Sequence, residues 1–405
     1  MDEPMKYIEK KYLGLYLGMM ANFIFFGVTL AVPGMLLPGI IRDFGWSYTW
    51  AGVVLASGSV GYFFSTFLCG FLVHKFSART VMCGGLIVQS FGLLLFGAWS
   101  PIFLNIIMNF LLGFGQGGTE VVTNYSVVRM EREKEHHLMG MVHAGFSVGA
   151  VMAPLIGGFF LSGGAHWRTI FIGAAVISFV LVLVTWFLPF RCIAEGETPI
   201  RREEISGGPQ NRAESSIPRL MIVFSVVTIL LYVGIEIGIS NWISEYFVTI
   251  LGSSKSSASF AVSLFWGGIL AGRVLIPLLI RKPTLTAQLV GLTCILTLSI
   301  LATVLFSNPI VLSASFLLAG IGCSSIYPLV MTLVGRHYRR KQSIYLGFVS
   351  TGGGIGAFII PMIMAGLADV LGLRLGFAFF GGLGVVLVFF AIGIRRQVTK
   401  LQLEE

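Results

Sequence analysis

The sequence predicts an all-α membrane protein, with twelve transmembrane helices arranged as two six-helix bundles related by pseudo-twofold symmetry. Three observations carry that expectation: a composition only hydrocarbon tolerates, twelve apolar runs of bilayer length, and one internal repeat register. Of 405 residues, 27 are Lys or Arg and 18 are Asp or Glu, so 11% are charged against roughly 25% in an average soluble chain. Apolar residues make up 56%, with 34 Phe, and the mean hydropathy is +0.88. Gly is abundant, 51 residues, as expected where helices pack closely without a hydrophobic force between them. Disorder, a collagen-like chain and a nucleic-acid binder are excluded as main themes.

The spans follow in order. About 20 apolar residues cross roughly 30 Å of hydrocarbon, and cutting the runs at their polar or Gly/Pro punctuation gives 13–41, 49–73, 80–98, 101–128, 138–162, 168–190, 219–249, 257–280, 285–306, 308–334, 343–371 and 373–394. The first run is too long for the core of a cleaved signal and is expected to stay as a span. The one long polar stretch, 191–218, is rich in Glu, Arg, Gly and Ser and predicts a flexible linker between an N-terminal bundle, 1–190, and a C-terminal one, 219–405. With both termini on one side, 22 of the 27 Lys and Arg fall on that side. Arg42, Arg168, Lys255 and Arg374 fall on the other, and Arg273 inside span eight. The positive-inside rule then makes both termini and the linker cytoplasmic, in a cytoplasmic (inner) membrane. The net charge of +9 thus reports topology, and no nucleic-acid partner is expected.

Shifting the chain against itself by 207 residues aligns landmarks through six spans. Gly27 meets Gly234, Gly61 meets Gly268, Lys75 meets Lys282, Arg129 meets Arg336 and Lys134 meets Lys341; Gly145, Gly149 and Pro154 meet Gly352, Gly356 and Pro361. Two parallel halves with an axis along the membrane normal is one of the transporter architectures, with a midplane site between them. The Gly-x3-Gly-x4-Pro blocks place small residues on one helix face. They are either a smooth contact along which the halves rock or ordinary tight packing, so Gly149, Pro154, Gly356 and Pro361 are gating or structural candidates, together with Lys75, Arg129 and Arg273.

Ionisable groups in hydrocarbon are costly, roughly 2.5–3.5 kcal/mol on the lenient insertion scale, and mark candidate sites. Span four carries Gln116, Glu120 and Asn124 at a four-residue spacing, hence on one helix face. Glu120 lies about nine residues, or roughly 13 Å, from the cytoplasmic end of its span, so it faces a cavity or a polar neighbour. Span seven reads Leu231 to Trp242 with Glu236 mid-span, then Asn241, Trp242, Glu245 and Tyr246. Amide, carboxylate and aromatic groups suit a neutral polyol, whose hydroxyls need donors and acceptors while its ring face stacks on Trp. Glu245 and Tyr246 could equally belong to an interface belt. Arg273 is expected to pair with a carboxylate such as Glu236 or to brace cytoplasmic loop groups. His143 reads as a packed histidine, and His136 and His137 as solvated.

The five cysteines show no CxxC spacing, so neither a disulfide framework nor a metal site is expected. There is no HExxH or phosphate loop, so no enzyme is expected. These residues resemble the fucose:proton symporter family of the major facilitator superfamily. The resemblance rests on Gly61-Tyr62-Phe63 followed by Gly70-Phe71-Leu72-Val73-His74-Lys75-Phe76-Ser77, on Tyr232-Val233-Gly234-Ile235-Glu236, and on Glu120 with Asn124. It implies cation-coupled sugar symport by alternating access, with Glu120 as the coupling residue and Glu236 and Asn241 lining the sugar cavity. This chain departs from the superfamily pattern with His74 for Asp and Ser77 for Gly. It also has Gly34 before Met35-Leu36-Leu37-Pro38, where proton-using members can carry an acid. The expectation is therefore a symporter of a monosaccharide or similar small polar solute, coupled to H+ or Na+ at Glu120 and Asn124. Gln116, Glu120, Asn124, Glu236, Asn241 and Trp242 would bind the solute. No cofactor is expected, and the protein would be a monomer in the lipid bilayer. The alternative, favoured by the Phe-rich interior and the Gly-x4-Pro blocks, is an exporter or antiporter of an amphipathic or drug-like compound.

Overall fold

The computed structural model describes residues 8–130, 137–194, 219–279, 284–338 and 342–404. Within them, twelve helices are long and apolar enough to cross a membrane, and the protein is a multi-pass membrane protein. They are α1 (Leu13–Phe44), α2 (Tyr48–Lys75), α3 (Ala78–Leu95), α4 (Ile102–Met130), α5 (His137–Ser162), α6 (Trp167–Phe187), α7 (Arg219–Leu251), α8 (Lys255–Leu279), α9 (Leu285–Leu305), α10 in two pieces (Pro309–Cys323 and Ile326–His337), α11 (Gln342–Leu371) and α12 (Leu373–Glu404). Residues 195–218 of the expected linker lie outside the described residues. So do Lys6, Arg132, Lys134, His136, Arg201, Arg202, Arg212, Arg281, Lys282, Arg339, Arg340 and Lys341.

Helix ends follow local chemistry. Ser47, Ser77 and Thr284 accept the Trp50, Thr80 and Ala287 amides, and Asn308 accepts those of Ile310 and Val311 ahead of a Pro at the first helical position. Such caps satisfy amides that no intrahelical carbonyl reaches. Gly45, at φ 64°, closes α1 in the left-handed region, where only Gly is unstrained. Two spans depart from expectation. The tenth breaks at Ser324–Ser325, where the Ser324 carbonyl accepts a hydrogen bond from Arg273 Nε at 3.3 Å. The twelfth runs on to Glu404, because charged residues end a hydrophobic run without ending a helix.

The repeat is visible in the packing. A Cβ on Gly61 would strike the Phe110 carbonyl of α4; its mate Gly268 in α8 sits against the Leu317 carbonyl of α10. Gly113 lies on the Gly58 carbonyl and Gly320 on that of Phe265. Every partner again differs by 207. These glycines let backbones touch, the packing that replaces hydrophobic attraction between helices in lipid. Gly149 abuts the Ile24 carbonyl of α1 and Gly356 the Leu230 carbonyl of α7, one residue off that register, so both blocks pack inside their own half. Pro154 and Pro361 lie inside the continuous helices α5 and α11.

With an even number of crossings both termini lie at one face, the terminal face; the opposite one is the far face. One hydrophobic core runs from the first half through Val32, Met35 and Leu36 to Ile239, Trp242 and Ile243 of the second. A smaller one, including Leu15, Met19, Val127, Leu138, Phe190 and Ile193, fills the terminal-face end of the first half. There Arg129 donates to the Ile193 carbonyl at 3.2 Å and lies 4.5 Å above the Tyr125 ring, which ties down the chain after α6. Lys75 is exposed beside the Phe76 ring.

Candidate functional site

The two halves are zipped along the far face. At the α2–α11 seam, the Asp369 carboxylate accepts the amides of Tyr48 and Thr49, both at 2.7 Å, the free N–H groups at the start of α2. Tyr48 Oη then donates to Glu245 at 3.2 Å, as does Thr249 Oγ1 at 2.6 Å. At α1–α7, Gly34 rests on Asn241 and Ser240, and Ser244 Oγ donates to the Met35 carbonyl at 2.9 Å. At α5–α8, Ser263 Oγ donates to the Val151 carbonyl at 3.0 Å and Phe146 meets the Trp266 ring edge-on at 5.6 Å. Deeper in that seam, Arg273 Nη1 donates to Ser147 Oγ at 2.9 Å. Among the described residues, the hydrogen bonds between halves stop at about this depth. Beyond it, Ser350 and Thr351 of α11 are exposed, so the cleft opens toward the terminal face.

Glu120 stands where the halves begin to part. It is half-buried on α4 and accepts a short hydrogen bond from Tyr62 Oη of α2. Tyr62 is itself stacked on Phe26 of α1, centroids 6.2 Å apart. Asn124 follows one turn along on the same face of α4, and its Oδ1 is buried without a partner. Gln116 donates to Thr29 Oγ1 at 3.1 Å. Across the cleft, within electrostatic reach of Glu120 and Tyr62, lies Tyr327 of α10, whose hydroxyl is 3.2 Å from Ser350 Oγ. A carboxylate, three hydroxyls and an amide oxygen thus converge from both halves. Such a set can satisfy a polyhydroxylated solute or hold a proton or a hard monovalent cation.

The structure brings Gln116, Glu120 and Asn124 together and places the α7 candidates elsewhere. Glu236 is buried beside Tyr232, within electrostatic reach of Arg273 and Cys323. The expected bracing of Arg273 to loop groups is replaced by bonds to Ser147 and Ser324, because the break in α10 frees a carbonyl within the membrane. Those bonds also displace the alternative, an ion pair with Glu236. Asn241 and Trp242 lie in the far-face seam. Trp242 is fully buried against the Tyr48 ring, 5.6 Å away, with its indole N–H unpartnered. His143 packs edge-on against Phe23 at 5.0 Å. Among the described residues no three His, Cys, Asp or Glu group as metal ligands would. Tyr62, Tyr327 and Ser350 are additions to the candidate set. Shifting Glu120 by 207 reaches Tyr327, so the repeat held a signal for it.

The model of the Major Facilitator Superfamily matches residues 17–307 and 287–404. The chain belongs to that superfamily. It is a membrane transporter and not an enzyme. It is 24% identical over 396 residues to the glucose/mannose transporter GlcP of Bacillus subtilis (strain 168), covering 96% of each chain. It is also 24% identical to a glucose/galactose transporter of Brucella abortus, covering 88% of each. Among solved structures, the nucleoside transporter NupG superimposes with a TM-score of 0.77 at 16% identity, over 95% of this chain and 99% of that one. At that identity the likeness speaks for the fold.

Proposed function

We propose that the protein is a secondary active symporter that carries a monosaccharide or similar small polar solute inward across a cytoplasmic (inner) membrane by alternating access, driven by H+ or Na+. The observation that carries this reading is the Tyr62–Glu120 bond at the level where the cleft opens, faced by Tyr327 and Ser350 of the other half. The named sugars of the relatives support the solute class. The Lys and Arg distribution supports cytoplasmic termini. The working unit is a monomer, since one chain supplies both halves of the site.

A bare carboxylate at this depth is disfavoured, and it is disfavoured further when the cleft closes and water leaves. A proton on Glu120 removes the charge; Na+ between its oxygens and Asn124 Oδ1 balances it. Either neutralises the site before the terminal face can shut. Solute hydroxyls bridging Glu120 and Tyr62 on one half to Tyr327 and Ser350 on the other draw the halves together, so only the loaded carrier closes. Return to the far-open state requires the Asp369, Ser244 and Ser263 contacts to part, which exposes Asn241 and Trp242 to a solute arriving from outside.

The test is uptake of a labelled sugar panel into proteoliposomes under separately imposed proton and sodium gradients. At least one hexose is expected to accumulate under one gradient and equilibrate without it. Gradient-independent behaviour of every sugar would overturn the reading.

A further inference from the structure

At the terminal face, on the outer side of the second half, a concavity of about 510 Å³ lies between α9 and α12, lined by Val290, Ile392, Arg395, Arg396, Thr399 and Lys400. It is remote in sequence and in the bundle from the Glu120 cleft, and transport chemistry does not use it. Its depth is set by geometry. α12 starts at Leu373 on the far side, and 20 residues at 1.5 Å each span roughly 30 Å of hydrocarbon, so the apolar phase ends near residue 393. Arg395 and Arg396 therefore emerge at the headgroup level. Below them α12 presents exposed Phe389, Val386 and Val385 to lipid, and α9 presents Ile295 and Leu298. Arg395, Arg396 and Lys400 are exposed and, among the described residues, none has an ion-pair partner. Thr399 is bonded to the Arg395 carbonyl.

We propose that this groove binds the headgroup of an anionic phospholipid. The guanidinium forks of Arg395 and Arg396 take the phosphate oxygens, Lys400 adds a third charge, and the acyl chains run down the α9–α12 groove. Planar guanidinium groups match phosphate oxygens bidentately, and basic pockets between transmembrane helices are suited to anionic headgroups. A free anion would use the same cations without the apolar wall, so the lipid is distinguished by needing both.

The test is native mass spectrometry of the full chain, released from detergent and titrated with phosphatidylglycerol, phosphatidylcholine or inorganic phosphate. One tight phosphatidylglycerol is expected, at least about tenfold tighter than phosphatidylcholine. The triple variant Arg395→Gln, Arg396→Gln, Lys400→Gln is expected to lose that preference. Lys10→Gln with Lys11→Gln, at the same face, is expected to keep it. Arg395→Lys with Arg396→Lys keeps the charge and guards against a folding artefact; it should keep the preference for phosphatidylglycerol over phosphatidylcholine but bind it more weakly, because lysine cannot make the bidentate contact. Unchanged phosphatidylglycerol affinity in the triple variant overturns the proposal. So does equal loss in the Lys10/Lys11 control, or inorganic phosphate binding as tightly as the lipid. None of these outcomes depends on the solute carried.

Discussion

Set the two halves over each other at the 207-residue offset and their glycines agree while their polar groups do not. Gly61 and Gly268, and Gly113 and Gly320, press on repeat-matched carbonyls. At the same offset Glu120 corresponds to Tyr327, Gln116 to Cys323, Glu236 to Thr29, Arg273 to Thr66 and Asp369 to Ser162. Backbone packing tolerates only Gly at these contact points, so it keeps the two halves alike; charge in hydrocarbon is expensive and is kept only where it works. Function is therefore to be sought where the symmetry fails. Each half holds a mid-membrane carboxylate, at inequivalent positions: Glu120 on a cleft wall, Glu236 buried against Tyr232.

The largest effect should come from separating those two acids. Glu120→Gln mimics a permanently neutral site, so gradient-driven accumulation is expected to fall by about 100-fold, the size of one mid-membrane charge, while solute counterflow persists. Glu236→Gln is expected to keep accumulation and weaken apparent affinity by roughly tenfold. Uptake assays of both variants decide this, and the reverse pattern would exchange the roles of the halves. Next in size is a wedge at the axis, where Gly34 meets its own repeat mate, Asn241. A Cβ at Gly34 would stand 2.7 Å from Asn241 Cα and 2.8 Å from the Ser240 carbonyl. Overpacking of that kind costs about 1–3 kcal/mol, so Gly34→Val is expected to open the far face. Thiol labelling of a Ser244→Cys reporter in a cysteine-free background should rise by tenfold or more; labelling that stays unchanged would mean the seam closes around the added methyls.

The same contrast explains what could be read from the chain. The bilayer imposes one length and one solvent, so the spans of α1 to α12 followed from runs of apolar residues. The face carrying Gln116, Glu120 and Asn124 followed from helical periodicity alone. Tyr62 did not, since a tyrosine at mid-span serves equally as a packing residue, and its hydroxyl acquires meaning only when α2 is set beside α4. The break at Ser324–Ser325 had a signal inside the apolar run: Pro328 has no N–H to give the Ser324 carbonyl four residues back, which leaves that carbonyl free for Arg273 of another helix. Asn241 and Trp242 were legible as chemistry but not as location, because whether they line a cavity or a seam depends on which face is open.

Asp369 breaks the symmetry of the far-face seams and gives the third prediction. It accepts two amides at the start of α2, where its charge also meets the positive end of the helix dipole. The matching position beside α8 is Ser162, whose hydroxyl is bonded to the Phe159 carbonyl of its own helix. Asp369 is solvent-exposed, which screens the gain to about 1 kcal/mol. Asp369→Asn should shift the carrier toward the far-open state by about fivefold, read by the same Ser244→Cys reporter, and Ser162→Ala should leave it unmoved. Equal responses of the two variants would erase the proposed asymmetry.

An effect of similar size is expected at Ser147. Its hydroxyl accepts one of the two hydrogen bonds that the Arg273 guanidinium donates, and the other goes to the Ser324 carbonyl within the second half. Ser147→Ala removes the bond that crosses between halves, along with the 3.5 Å bond from the Ser147 hydroxyl to the His143 carbonyl of its own helix, and leaves the Arg273–Ser324 bond in place. One such bond contributes about 0.5–1.5 kcal/mol, more with a charged donor, so the far-closed state should lose two- to tenfold in population, without loss of thermal stability. Arg273→Gln removes both bonds, and with them the anchor for the broken α10. It should lower the unfolding temperature as well as shift the equilibrium. If Ser147→Ala destabilises as much as Arg273→Gln, the arginine is primarily a brace between halves; if only Arg273→Gln does, its main task is to hold the α10 break that presents Tyr327 to the cleft.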